Sequence, residues 1–380
     1  MTKRRINGTL IKYSLDIREF SMKKVVKLLL IAVLALSAVL GLVACGGDSG
    51  ETGEKGIICR KFKNDNFYTV VGYGAESGVD SLDISAAVKA KYGETAIVGR
   101  IRTGAFDGNK TLKSVIVSDK AGDGVDLTID AGAFKNMRAL EEITLPFVGA
   151  NRFSDADMNG SAPASGDGLK AVNEQRSFGY IFGTEESDAA SKITLTYGDV
   201  SEQTADFYIP VALIKINIVA EEEINIPMYA FCGLKRIEEI TLSGNIKAIG
   251  RNAFKNMDKL SKINIPSSVE TIYDNAFEGT TSLKVFGDNG FKIDENSNLT
   301  DIRKEAFKET KLKNFDLSGT QVKTIGAWCF YNSALETFTF SADIESVGAY
   351  AFANSSNLAV EQPSCAIGTN AFADIKAFII

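Results

Sequence analysis

IGRNAFKNMDKLSKINIPSSVETI, running from Ile249 to Ile272, recurs in imperfect copies along most of this 380-residue chain, and its reading decides the fold. Its markers are Ala253-Phe254, Leu260 six residues on, the strand Ile263-Asn264-Ile265-Pro266, then Val269 and Ile272. In a strand successive side chains alternate between faces, so Ile263 and Ile265 point inward and Asn264 outward. Pro266 ends the ladder because it has no amide hydrogen to donate. Gly250 permits a tight bend, Ala253 lets neighbouring coils approach, and Phe254 fills the space between them.

Outward from this unit, the anchor phenylalanines fall at Phe106, Phe134, Phe182, Phe231, Phe254, Phe277, Phe307, Phe330, Phe352 and Phe372. Most steps are 20 to 30 residues, and two are 48 and 49. A period of about 20–29 residues with one strand per unit is the leucine-rich-repeat range. Stacked units align their strands into a parallel sheet along one face, in an elongated body where each unit touches its neighbours.

Between the two widest-spaced pairs, residues 147–177 are rich in Gly, Ser, Ala and Asp and are expected outside the stack. Lys192 to Leu195 and Leu213 to Ile218 both read as strands, the second in a unit that has lost its Ala-Phe pair. Residues 57–100 do not repeat; they read as short strands around turns, an N-terminal cap on the solenoid of residues 101–380. Near the other end, Glu361 stands where a core residue belongs, and Ile375 to Ile380 align as a last strand with no polar cap after it.

Composition removes whole classes of chemistry. The chain has no histidine, which excludes Ser-His-Asp and Cys-His catalysis and His-based zinc sites. Residues 1–44 hold eight basic and two acidic residues, leaving 34 basic against 46 acidic, a charge of −12, in the remainder. No basic stripe follows the leader, which argues against nucleic acid as a partner.

Residues 22–45, MKKVVKLLLIAVLALSAVLGLVAC, have a basic start and an apolar run closing on Leu42-Val43-Ala44-Cys45. This is the pattern of a secretory signal, and its end resembles the bacterial lipobox, in which the cysteine is lipidated. Cys45 is thus the expected lipid anchor, with residues 45–56 a flexible Gly-rich tether and Met22 the expected initiator within residues 1–44.

The combination I-G-x-x-A-F, L-x-x-I-x-I-P and V-x-x-I resembles the BspA-type leucine-rich repeats, also called the Treponema pallidum type, over roughly residues 101–380. The resemblance implies an α/β leucine-rich-repeat solenoid, β-rich, with a parallel strand stack and short helical turns. It also implies a bacterial cell-surface protein that binds a protein or glycan on host or bacterial surfaces without catalysis, a passive surface scaffold being the alternative and an enzyme the remote one. Localisation on the extracellular face of the envelope, no cofactor, and membrane contact through the lipid alone go with that reading.

The candidate binding row is the set of outward strand positions: Ile116, Thr144, Thr194, Asn217, Thr241, Asn264, Asp316 and Thr339. Short hydroxyl and amide side chains suit peptide backbone or sugar hydroxyls, and they equally solvate an exposed sheet. Asp294, Asn296, Asn298, Thr300 and Glu305 have the spacing of a calcium loop, but Leu299 occupies the position where the turn needs glycine, so no metal is expected. Cys232 and Cys329, flanking anchor phenylalanines, are expected as buried free thiols. Trp328 is read in the place of the alanine before Phe330.

Overall fold

The computed structural model describes residues 54–74, 76–118, 124–152, 174–197, 203–283, 291–294 and 296–379. The leader, Cys45 and most of the tether lie outside the described residues, as does the middle of the 147–177 segment. Among the described residues no helix is long and apolar enough to cross a membrane.

The body opens with strands β1 (Gly56–Arg60), β2 (Tyr68–Gly74) and β3 (Ser81–Asp83), then helix α1 (Ile84–Tyr92), then β4 (Val98–Ile101). Strands β5 (Ser114–Ile116), β6 (Thr128–Ile129) and β7 (Glu142–Leu145) follow, then a 3₁₀ turn at Phe178–Phe182 and strands β8 (Ala190–Tyr197) and β9 (Gln203–Pro210). Next come β10 (Lys215–Ile226), β11 (Glu239–Ile249), β12 (Lys262–Ile265), β13 (Thr271–Ile272), β14 (Phe291–Ile293) and β15 (Asp301–Ile302). The last coils carry β16 (Asn314–Asp316), β17 (Thr324–Ile325), β18 (Thr337–Thr339), β19 (Ser346–Val347), β20 (Ala359–Glu361), β21 (Ala366–Ile367) and β22 (Ala377–Ile379).

Each coil contributes two strands, so two parallel ladders run the length of the array rather than one. The first joins β3, β5, β7, β10, β11, β12 and β14, and continues separately as β16, β18, β20 and β22. The second joins β2, β4 and β6, and then β10, β11, β13, β15, β17, β19 and β21. Strands β10 and β11 belong to both because no proline interrupts them: Val219 and Ser243 pair where the unit at Ile263 has Pro266. Where proline is present, β12 stops at Ile265.

Between the ladders lies the core. Ile240, Ile263, Phe315 and Phe338 point in from the first, and Ile249, Ile272, Ile302 and Ile325 from the second, all buried. The anchor phenylalanines form a column through it, with ring centroids 5.2 Å apart for Phe231–Phe254 and 4.9 Å for Phe254–Phe277 and Phe277–Phe307. Phe307–Phe330 follows at 5.3 Å, then Phe330–Phe352 and Phe352–Phe372 at 5.2 Å. Toward the N-terminus Phe134 and Phe106 stack at 5.0 Å and Tyr73 extends the column.

Several expectations are corrected. Part of the segment read as strands is helix α1: Asp83 caps it, accepting the Ala86 N–H at 2.9 Å, and Ile84 and Val88 bury one face. The strand at Lys192 to Leu195 starts no second coil. Strands β8 and β9 pair antiparallel as a hairpin off the stack, and β10 pairs directly with β7. Phe147, Val148 and Ala150 are buried, so the first residues of the 147–177 segment are core.

Glu361 is exposed, not a breach in the core. The unit is one residue shorter after Leu358, so Val360 opposite Phe338 takes the inward place. Gly250 has no left-handed φ; a Cβ there would lie 2.6 Å from the Met228 nitrogen, so glycine serves the close approach of two coils.

Candidate functional site

The left-handed residues are elsewhere in the unit, and they define an edge. Each coil turns through two left-handed positions four residues apart, as at Asn252 and Asn256, or Asn332 four residues after Trp328. Asparagine and glycine tolerate that conformation best. At the first position, successive coils from Phe231 onward place Tyr229, Asn252, Asn275, Glu305, Trp328, Tyr350 and Asn370, with φ between 55° and 60°. The first six each donate their N–H to the coil that follows, Tyr229 to the Arg251 carbonyl at 2.9 Å and Trp328 to that of Ala349 at 2.9 Å. The seven residues therefore form one file along the turn edge.

This ladder also corrects the placing of Trp328. Cys329, fully buried, takes the alanine position, and Trp328 takes the left-handed position of Asn252. Its half-buried ring stacks on Tyr350 at 4.4 Å and 18° and meets Tyr331 edge-on at 4.7 Å. Asn354 and Asn370 donate to the Tyr331 and Tyr350 hydroxyls at 2.6 and 3.0 Å.

The hairpin β8–β9 packs on the same edge. Leu195, Ala205 and Phe207 bury against Met228 and Tyr229. Between it and the coils opens a groove of about 1000 Å³ whose lining includes the file residues Tyr229, Asn252, Asn275 and Glu305. Lys192, Lys235, Arg236, Arg251, Lys255 and Lys304 line it against Asp258, Glu278 and Glu305, an excess of positive charge in an acidic body. Ser191, Thr194 and Thr196 add hydroxyls from the hairpin wall.

A network supports the groove floor. Glu278 pairs with Lys255 at 2.6 Å and Lys308 at 3.2 Å, and Asn275 donates to both Glu278 and Glu305. Burial works to raise the Glu278 pKa, yet the hydrogen bonds and charges of Lys255 and Lys308 prevail and hold it below the usual carboxylate range. Burial pushes the Cys232 thiol up to about 11. The Glu305 carboxylate is engaged by Lys304, Lys308 and Asn275. Among the described residues no cluster of three or more Cys, Asp or Glu could hold a metal.

The sequence-predicted row divides. Ile116, Thr144, Asn217 and Thr241 do align in register across β5, β7, β10 and β11. Asn264 lies on the adjoining β12, while Asp316 and Thr339 pair on the separate β16–β18 sheet. Thr194 is absent from the row: it sits on the hairpin, lines the groove, and donates to Asp206 at 2.7 Å.

The row's polar groups largely bond one another. The Asn217 amide donates to Glu142 at 2.6 Å and Thr144 at 3.1 Å, and that of Asn264 bonds the backbone of Leu242. Beside it runs an in-register file of alternating charge, Glu142, Lys215, Glu239 and Lys262, with ion pairs at 3.2 Å for Lys215–Glu142 and 3.0 Å for Lys262–Glu239. Sequence reasoning missed the turn edge because its file repeats as Asn, Glu, Tyr or Trp, residue types without a shared pattern; the Asn two residues before Phe254, Phe277 and Phe372 was the available signal.

Residues 205–289 and 287–377 match the sequence profile described as the BspA type leucine rich repeat region, in six copies. No curated protein matches the chain. Solved structures similar to it include the T. pallidum leucine rich repeat protein TpLRR, at 22% identity over 42% of this chain and 75% of that one, with a TM-score of 0.37. A leucine-rich repeat protein from Bacteroides ovatus aligns at 18% identity over 86% and 80%, TM-score 0.35. A leucine rich cell surface protein from Faecalibacterium prausnitzii aligns at 21% over 48% of this chain and 45% of its own, TM-score 0.33, so this chain spans less than half of that relative. Residues 205–377 therefore belong to the BspA-type leucine-rich repeats, and the ladders and phenylalanine column carry the same leucine-rich-repeat solenoid on toward the N-terminus.

Proposed function

We propose that the chain is a non-catalytic binding protein of the bacterial cell surface, held by a lipid on Cys45, whose solenoid engages a protein or glycan of a host or bacterial surface. Leucine-rich-repeat solenoids are interaction scaffolds, and the secretory leader and lipobox-like Leu42 to Cys45 support the address. One observation carries the binding role: the hairpin β8–β9 contributes no strand to either ladder, yet builds a wall of a large charged groove along the turn edge.

The internally paired files at Glu142–Lys262 and at Asn217 favour a second reading for the sheet face alone, that of a passive solvated surface. The test is a protein and glycan array probed with the full chain, alongside labelled-lipid incorporation into the Cys45→Ser variant. Saturable binding that is lost on substituting groove residues supports the proposal. Binding to nothing on the array, or lipid incorporation that survives the Cys45 change, overturns it.

A further inference from the structure

The groove and the aromatic pair are successive parts of one file. After Glu305, the last file residue in the groove lining, the next two coils present Trp328 and Tyr350. With coils about 4.8 Å apart, the five steps from Tyr229 to Tyr350 cover about 24 Å.

The turn itself does not require aromatics there. Asn252, Asn275 and Asn370 serve the same position in other coils, and a bulky side chain with positive φ is strained where asparagine is not. Trp328 and Tyr350 nonetheless occupy it side by side, half-buried, their rings stacked.

We propose, resting on the binding role above, that this file is the binding track for an extended acidic polysaccharide. The half-buried Trp328–Tyr350 pair, its rings stacked on each other, continues the track past the groove as an apolar margin along which sugar C–H groups lie. The lysines and arginines lining the groove outnumber its own carboxylates, several being paired with them as in Lys235–Asp258 at 3.7 Å and Lys304–Glu305 at 3.2 Å, and the saccharide carboxylates join these networks through further charge-assisted hydrogen bonds. Hydroxyls of Ser191, Thr194 and Thr196 match sugar hydroxyls.

The same geometry disfavours a polypeptide. An extended peptide binds by adding to free backbone groups at a sheet edge, whereas the backbone along this file is already bonded from coil to coil, as in Asn252 N–H to Asp274 and Glu305 N–H to Ala327. Recognition there falls to side chains.

Trp328 is the single tryptophan of the chain, so its emission reports occupancy directly. The full chain is titrated with an oligogalacturonide of about six residues, a neutral glucan oligomer of the same length, and a poly-glutamate peptide of matching charge. The oligogalacturonide shifts the emission saturably and the other two do not. By calorimetry Trp328→Asn, which installs the residue used by neighbouring coils, weakens binding about tenfold without lowering the melting temperature. Lys235→Glu, at an exposed groove lysine, weakens it about tenfold as well and reduces its salt dependence.

Poly-glutamate binding as tightly would replace the saccharide by an acidic peptide. Equal binding of the neutral oligomer, or oligogalacturonide binding indifferent to both substitutions, overturns the track. Saturable array binding of some other macromolecule, with no response to oligogalacturonide, overturns this inference while the binding role stands.

Discussion

The side-chain amide of Asn264 donates to the Leu242 carbonyl at 2.8 Å and accepts the Leu242 N–H at 3.0 Å, so a side chain does the work of a peptide group between β11 and β12. Leu242 is 1% exposed and has no water to turn to. Asn264→Ala therefore leaves both groups unsatisfied and costs about 2 kcal/mol, read from the urea midpoint. Asn264→Asp keeps the acceptor and loses the donor, and falls between. A neutral Asn264→Ala would mean that the outward amide is free for a ligand after all.

The phenylalanine column is continuous, but its members are not equivalent. Phe277 is fully buried between Phe254 and Phe307, whereas Phe372 is half-buried at the last coil. Phe277→Ala lowers stability by about 3–5 kcal/mol, and Phe372→Ala by about 1–2 kcal/mol. Equal losses in denaturant unfolding would contradict a column whose end is open to solvent.

Stability falls at both ends of the pH scale. For Glu278 and Glu305 burial raises the pKa, but bonds and charges from Lys255, Lys304 and Lys308 outweigh it and leave both values lowered. Each contributes stability fully present above its ordinary value of 4.5 and lost as pH drops through the lowered one. Lys308, raised despite burial by Glu278 and Glu305, contributes fully below 10.5 and loses that contribution as pH climbs through its raised value. Glu278→Gln flattens the acid limb of urea midpoint against pH; an unchanged limb would assign acid unfolding to other carboxylates.

The four described cysteines are free thiols. Burial pushes Cys59 up to about 12 and Cys232 up to about 11, raises the wholly buried Cys329 further, and raises Cys365 as well. Iodoacetamide at pH 8 modifies Cys365, on the exposed β21 margin, first and Cys329 only after unfolding, as peptide mapping shows. Labelling of native Cys329 would mean that the coil opens locally.

Periodic burial made the first ladder readable, whereas the two-residue strands of the second, such as Thr271–Ile272, were not read as strands. Ala253, Phe254, Leu260 and Ile263 each repeat a single packing role, so their spacing carried the fold. What escaped was whatever the same pattern encodes in two ways. The alternation of Ile193, Thr194 and Leu195 suits an off-stack hairpin as well as a coil strand, because register partners are not written in one strand.

Asp83, followed by Ile84 and Val88 four apart, was a helix signal overridden by neighbouring strand formers. Trp328 and Cys329 were exchanged although Cys329, directly before Phe330, stands where Ala253 precedes Phe254; only the left-handed conformation of Trp328 lay beyond the sequence. The groove joins residues from Ser191 to Glu305 and has no local signature.

Strands β10 and β11 pass unbroken through both ladders, whereas later coils touch through short separate strands. An array of this kind opens from its ends. Opening that starts in the C-terminal coils runs inward through narrow contacts until it reaches the β10–β11 seam, where a longer strand pairing, in register from Lys215–Glu239 to Ala220–Gly244 and shifted beyond, must part. That seam acts as a crack arrestor beside the hairpin: opening of the coils past Ile272 takes the floor residues Asn275, Glu278 and Glu305 with it, while the hairpin wall stays seated on Met228 and Tyr229.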